Sequence, residues 1–251
     1  MRSVACLMLA GTLVACGDAR PLQPPDGRPP VVQVLARNLR LEPGEANAIR
    51  IAYQPATPTT FVRPDFDDVG ARVSVCALPS VEAPIDDASC ERDLPNGVRH
   101  PVPAPGARAL AIVSHSAAAV RLELFIEFDE AGRRLAFHLP EIAAPADRRA
   151  CADNACNPLF EVIPTRGGAF SAAARWEGPD AVFVLLQGSV RGRAQTATGI
   201  PYREPARAEG ASPLDLSTRL TARDEYALVL RHPDAGPAEA LRNVVIEAGW
   251  P

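Results

Sequence analysis

Residues 120–128 read VRLELFIEF, and this stretch decides the fold class. Val120, Leu122, Leu124, Ile126 and Phe128 fall on one side of an extended chain, with Arg121, Glu123 and Glu127 on the other. Period two is the signature of a half-buried strand, because successive side chains of a strand point to opposite faces. DEAG follows as a turn, and RLAFHL (134–139) brings the chain back with Leu135, Phe137 and Leu139 inward. The pair reads as a hairpin.

The same grammar runs through the rest of the chain. Before the hairpin come VVQVLA, NLRLEPGE with Pro43-Gly44 as punctuation, AIRIAY, and RVSVCAL with Cys76 pointing away from Val73 and Val75. After it come LFEVI, AFSAAARW, AVFVLLQGSV, PLDLSTRL, EYALVLRH and LRNVVIEA. Phe170, Ala172, Ala174 and Trp176 share a face, as do Tyr226, Leu228 and Leu230. AEALRN is at most one helical turn. The segment AAPADRRA, 143–150, is a linker, so the chain divides into β-domains at 31–142 and 151–251, each expected to fold alone. VRLELFIEFDEAGRR is similar to EYALVLRHPDAGPAE, with the Ala-Gly turns 104 residues apart, and NAIRIAY and AFSAAARW are candidate equivalents.

The pattern V-x-V-x-x-x-x-L-x-L-x-P-G-E over residues 32–45, followed by a strand cysteine, resembles Ig-like or fibronectin-type modules of bacterial surface lipoproteins. That resemblance implies an all-β fold of two tandem Ig-like β-sandwich domains. A pair of jelly rolls is the alternative.

The amino terminus supplies an address. In MRSVACLMLAGTLVA, residues 1–15, Arg2 is a positive n-region and Val4–Val14 an apolar run of eleven residues. Eleven residues at about 1.5 Å rise cannot cross a ~30 Å hydrocarbon core, so the run reads as a signal peptide. Leu13-Val14-Ala15-Cys16 is similar to the lipobox of bacterial lipoproteins. The resemblance implies cleavage before Cys16, a diacylglyceryl thioether on its sulfur and acylation of the new amino terminus, with palmitate as a typical chain. Gly17 follows Cys16 where inner-membrane retention in enterobacterial lipoproteins uses Asp, so the resemblance favours the outer membrane. Residues 16–30 carry five prolines and little to bury, which makes a semi-rigid tether.

Composition narrows the chemistry. All 26 basic residues are Arg, so lysine nucleophiles and Schiff bases are excluded. A net charge of -4 without a basic block gives no support to nucleic-acid binding. Beyond Cys16, four cysteines remain in the exported body: Cys76, Cys90, Cys151 and Cys156. An even number in an exported chain reads as two disulfides. Three pairings are possible. The local one, Cys76–Cys90 with Cys151–Cys156, is favoured because each pair closes a short polar loop. The spacing does not fit paired zinc knuckles.

Candidate chemistry is sparse. Asp65, Asp67 and Asp68 crowd oxygens before a glycine, as a hard cation requires, but without the twelve-residue loop of an EF-hand. Asp86-Asp87 and Asp153-Asn154 read as turn residues. His100, His115, His138 and His232 lack ligand spacing, with His138 and His232 expected in solvent, and Ser114-His115-Ser116 lacks a nucleophile elbow. No catalytic residue, metal ligand or cofactor is assigned. The function expected is that of a non-catalytic, lipid-anchored envelope protein presenting β-sandwich interaction surface to an envelope partner, in the periplasm or at the cell surface. The alternative is a carbohydrate- or cation-binding accessory domain, for which Trp176, Tyr202 or Trp250 would have to be exposed.

Cys16→Ser is expected to abolish lipidation. Palmitate labelling with membrane fractionation checks it: a substituted chain that still takes label and pellets with membranes overturns the lipobox reading.

Overall fold

A computed structural model describes residues 32–54, 61–68, 70–101, 108–128, 134–144, 157–164, 166–188, 203–233 and 239–251. Cys16, Asp153, Asn154, Tyr202 and most of the expected linker lie outside them. The described residues form sixteen strands and two single-turn 3₁₀ segments. The strands up to Ile142 are β1 (Val32–Leu41), β2 (Ile49–Gln54), β3 (Phe61–Phe66), β4 (Val73–Leu78), β5 (Cys90–Glu91), β6 (His100–Pro101), β7 (Ala109–Ser114), β8 (Val120–Phe128) and β9 (Arg134–Ile142). Those after it are β10 (Leu159–Val162), β11 (Gly168–Glu177), β12 (Ala181–Gln187), β13 (Arg203–Gly210), β14 (Leu214–Leu220), β15 (Tyr226–Arg231) and β16 (Leu241–Gly249).

The chain is all-β, and its two halves are tandem β-sandwiches. Two eight-stranded sheets face each other: β13-β12-β15-β10-β1-β8-β3-β6 and β14-β11-β16-β9-β2-β7-β4-β5. We call them sheet A and sheet B. Within the first half the orders β1-β8-β3-β6 and β2-β7-β4-β5 are the double Greek-key winding of a jelly roll, the alternative left open by the sequence. The second half repeats it as β10-β15-β12-β13 and β11-β14. β8 and β15 hold the same place, and so do β2 and β11. These are the segments whose sequences resemble each other.

One expectation is corrected, the hairpin: β8 lies in sheet A between β1 and β3, whereas β9 lies in sheet B between β2 and β16. Their apolar faces meet across the sandwich instead of side by side. Alternation fixes which face is buried, and it does so correctly: Val120, Leu122, Leu124, Ile126, Leu135, Phe137 and Leu139 are all buried. (The Phe128 side chain lies outside the described set.) It says nothing about which strand is the neighbour.

A separate point bears on the expectation that each half folds alone. Both sheets run through the junction of the halves, β1 pairing antiparallel with β10 and β9 with β16. One core cluster contains Val34 and Leu122 from the first half with Phe170, Leu228 and Trp250 from the second. The Phe137 and Phe160 rings, one from each sheet and each half, meet at 4.3 Å between centroids. Arg37 adds a polar tie on the outer face of sheet A, donating to Glu123 at 3.0 Å and Glu161 at 3.4 Å. A fragment ending at residue 142 would expose the edge of β9 that pairs with β16 and the apolar side chains of the shared core at the junction.

Phe160→Ala removes a ring that is 1% exposed at this junction. It is expected to cost about 3–5 kcal/mol, lowering one unfolding transition common to both halves. Urea titration followed by tryptophan fluorescence and far-ultraviolet dichroism checks it. Two separate transitions, only one of them shifted, would show halves that fold independently.

Candidate functional surface

The outer face of sheet B crosses both halves without interruption. Register places Arg175, Val245, His138 and Arg50 in one row over β11, β16, β9 and β2. The next row is Asp215, Ala173, Glu247, Ala136 and Ala52, and a third contains Ser217, Ser171, Gly249 and Arg134. Ala, Ser and Gly therefore surround one central carboxylate, Glu247, with further charges toward the margins. Arg175 donates to Glu247 at 2.8 Å. Arg134 leans over the bare Gly249 backbone, where an added Cβ would stand 3.6 Å from its Cγ.

One end of this face is walled by the segment between β4 and β5. Cys76 and Cys90 stand directly opposite each other in the ladder, with Cα atoms 3.9 Å apart, and are joined in a disulfide. The intervening residues fold back over the sheet, where Val81, Ala83 and Ile85 pack on Cys76, Leu78, Ala109, Ala111 and Val113. Arg50 Nη1 pins the segment by donating to the Val81 and Ala83 carbonyls at 2.6 and 2.8 Å. Asp86 caps the 3₁₀ turn by accepting from the Ala88 amide, and Asp87 pairs with Arg92. Cys151 and Cys156 lie outside the described residues.

The other candidates from the sequence do not converge. Asp65 is held by Arg63 at 2.8 Å, Asp67 accepts from the Arg121 amide, and Asp68 closes a turn on the Gly70 amide at 2.8 Å. Each carboxylate is committed to its own neighbour, and the described residues contain no group of three or more potential metal ligands. His100 reaches from the edge of sheet A to Glu91 on the edge of sheet B at 3.2 Å. His115 Nε2 lies 2.9 Å from Ser74 Oγ, an approach the sequence did not disclose. That serine is 1% exposed beneath the imidazole. The nearby Asp93 is engaged by both Arg72 Nε and Nη2, which hold its carboxyl below the usual range. A capped serine and a diverted carboxylate do not make a hydrolytic triad. Ser114 Oγ accepts from the Ser116 amide.

Two further placements matter. His232, expected in solvent, is buried, with its Nε2 2.7 Å from the Glu239 carbonyl oxygen. Trp176 and Trp250 belong to the core, Trp176 donating to the Pro179 carbonyl at 2.7 Å and Trp250 stacking on Phe170. Neither tryptophan can therefore serve as a sugar platform, and Tyr202 lies outside the described residues.

Burial pushes the His138 imidazole below its ordinary 6.5, with Arg50 and Arg175 acting in the same sense and Glu82 and Glu247 against it. The folded state then binds that proton less readily than the unfolded chain. Stability from this group is full above about pH 6.5 and declines as pH falls toward the folded value. His138→Gln is expected to flatten that part of the profile. Urea midpoints at pH 7.5 and 5.5 check it: an unchanged difference between the two pH values would place the sensitivity elsewhere.

No family model and no curated protein matches the chain. Among solved structures it is similar to the N-terminal CBM22-1–CBM22-2 tandem domain of Paenibacillus barcinonensis Xyn10C. That match has 10% identity over 84% of this chain and 82% of that one, at a TM-score of 0.27. Vicilin from Corylus avellana matches at 8% identity over 88% and 75%, with a TM-score of 0.22. The 7S globulin of Momordica charantia matches at 11% over 87% and 73%, with a TM-score of 0.23. At these identities and scores the matches carry no argument about what this chain binds.

Proposed function

We propose that this protein is a non-catalytic, lipid-anchored component of the bacterial envelope whose double sandwich presents the outer face of sheet B to a protein partner. The observation that carries the reading is the face itself. Five adjacent strands, drawn from both halves, hold Ala52, Ala136, Ala173, Ser171, Ser217 and Gly249 around a central Glu247, with Arg134, Arg175 and Asp215 toward the margins. Small side chains let a partner approach the sheet closely, and fixed charges of both signs orient it. Fusion of the halves makes the face rigid, so little ordering entropy opposes binding. The Cys16 anchor and the proline-rich tether after it would hold the body off the membrane, with the outer membrane favoured by Gly17.

A photo-crosslinking phenylalanine analogue at Ser171, in the full chain in its native envelope, is expected to give a discrete adduct that weakens when Ala136→Arg is added. The same probe at Arg121, on the opposite sheet, is expected to give none. Equal adducts from both positions, or none from Ser171, would overturn this face as the recognition surface.

A further inference from the structure

The floor of the recognition face does not stop at β2. Register carries the row Ala173–Glu247–Ala136–Ala52 onward as Ala109 on β7 and Leu78 on β4. The row through His138 and Arg50 continues as Ala111, Cys76 and Cys90. Residues 79–89, the clasp between β4 and β5, lie on this continuation. Their Val81, Ala83 and Ile85 cover Cys76, Leu78, Ala109 and Ala111, which are buried, and Ala52 packs at the margin of the same cluster. The floor is thus half-buried from β11 to β2 and fully buried under the clasp.

The clasp is held less firmly than the chain that follows it. Leu94 is buried in the main core, and its amide donates to the Val73 carbonyl at 2.9 Å. Arg72 grips Asp93 through two hydrogen bonds. Those contacts tie the following chain to β4 whether or not the clasp is docked. The clasp rests on its small apolar side chains, on the two carbonyl bonds from Arg50, and on the Cys76–Cys90 bond at its base. Glu82, Asp86 and Asp87 are exposed, so much of the segment favours water. Closing the loop covalently removes most of the freedom that it would gain on undocking. The two sulfurs are unequally placed: Cys76 is buried, whereas Cys90 is half-buried on the two-residue strand β5.

We propose that the Cys76–Cys90 bond is a redox lock, whose reduction by a dithiol releases the clasp and lengthens the recognition face across Ala109, Ala111 and Leu78. One thiolate of the dithiol attacks the more accessible Cys90 Sγ. The Cys76–Cys90 bond breaks, and its electron pair leaves on Cys76 Sγ, which takes up a proton. The second thiolate then attacks the dithiol sulfur bound to Cys90 and expels Cys90 as a thiolate, which is protonated in turn. The dithiol ends as a disulfide and the two cysteines as thiols, with two electrons and two protons transferred. Release of the clasp stands on its own contacts, while lengthening of the face rests on the recognition reading above.

Cys76→Ala combined with Cys90→Ser in the full-length chain removes the bond and leaves no thiol to mispair with Cys151 or Cys156. Amides of residues 79–89 are expected to exchange hydrogen at least about tenfold faster in this variant, and in the wild type under dithiothreitol, than in the oxidised wild type. Amides of β7, which pairs with β2 and β4, are expected to stay within about twofold. Unchanged exchange in 79–89 would show that Arg50 and the apolar contacts suffice, and would overturn the lock. Equal acceleration of β7 would overturn it too, because the bond would then hold the sheet and not the clasp. In the native envelope, the photo-crosslinking analogue at Ala52 is expected to give at least about threefold more adduct in the variant, with the Ser171 adduct present in both chains. No gain at Ala52 beside a persisting Ser171 adduct would overturn the lock as a control on this face. Absence of the Ser171 adduct from both would overturn the recognition face itself, and exchange alone would then decide whether the clasp is locked.

Discussion

The structure depends on the pairing of each junction strand with its own counterpart. β1 opens the first jelly roll and β10 the second. β9 closes the first and β16 the second. In both sheets these equivalents meet antiparallel. Equivalent strands that pair antiparallel imply a pseudo-twofold axis between the halves, the geometry of an isologous dimer built into one chain. The inward side chains then have no boundary at which to stop. Phe137 reaches Phe160, and a single core extends from Val75 to Leu216. An open-ended sandwich half exposes a long edge and an apolar flank. Fusing two halves removes one edge from each sheet of each half.

Tension between the two faces of sheet B shapes the remainder. At the first-half end, Cys76, Leu78, Ala109, Ala111 and Val113 are apolar on the outer side as well, and must be covered. The segment between β4 and β5 is too polar to stay there by burial alone; its inward anchors are Val81, Ala83 and Ile85. Cross-linking at its base limits the freedom of the unfolded loop, and Arg50 fixes its middle through two carbonyls. Toward the second half the same face turns to alanine, serine and glycine, which leave little apolar surface in need of cover. Only the part that must be shielded carries the clasp.

How much of this could be read from the chain follows from what alternation encodes. VRLELFIEF and RLAFHL gave the buried faces of their described residues, and AFSAAARW set Trp176 on one face with Phe170, Ala172 and Ala174, the face that lies inward. The likeness of β8 to β15 and of β2 to β11 was visible as sequence similarity, because equivalent strands keep equivalent faces. Partner identity was not visible. β8 and β9 were read as neighbours since consecutive strands usually are, but jelly-roll winding sends consecutive strands to opposite sheets. The row Arg175–Val245–His138–Arg50 was hidden for the same reason: its members come from four strands, and only register brings them together. His232 was read as solvated from the following proline, and its burial rests on the distant Glu239 carbonyl.

Among the described residues the two halves are not equal. In the first half β7 is flanked by β2 on one side and β4 on the other, with β5 beyond. β14 holds the matching place in the second half, yet the described residues contain no counterparts of β4 and β5 beyond it. Among the described residues a strand of interior type is thus the outermost of sheet B in this half. Interior strands carry side chains suited to neighbours on both sides, and β14 keeps that character in its alternating Leu, Thr and charged residues. β13, an edge in its half as β6 is in the other, carries the proline and charge expected of a permanent boundary.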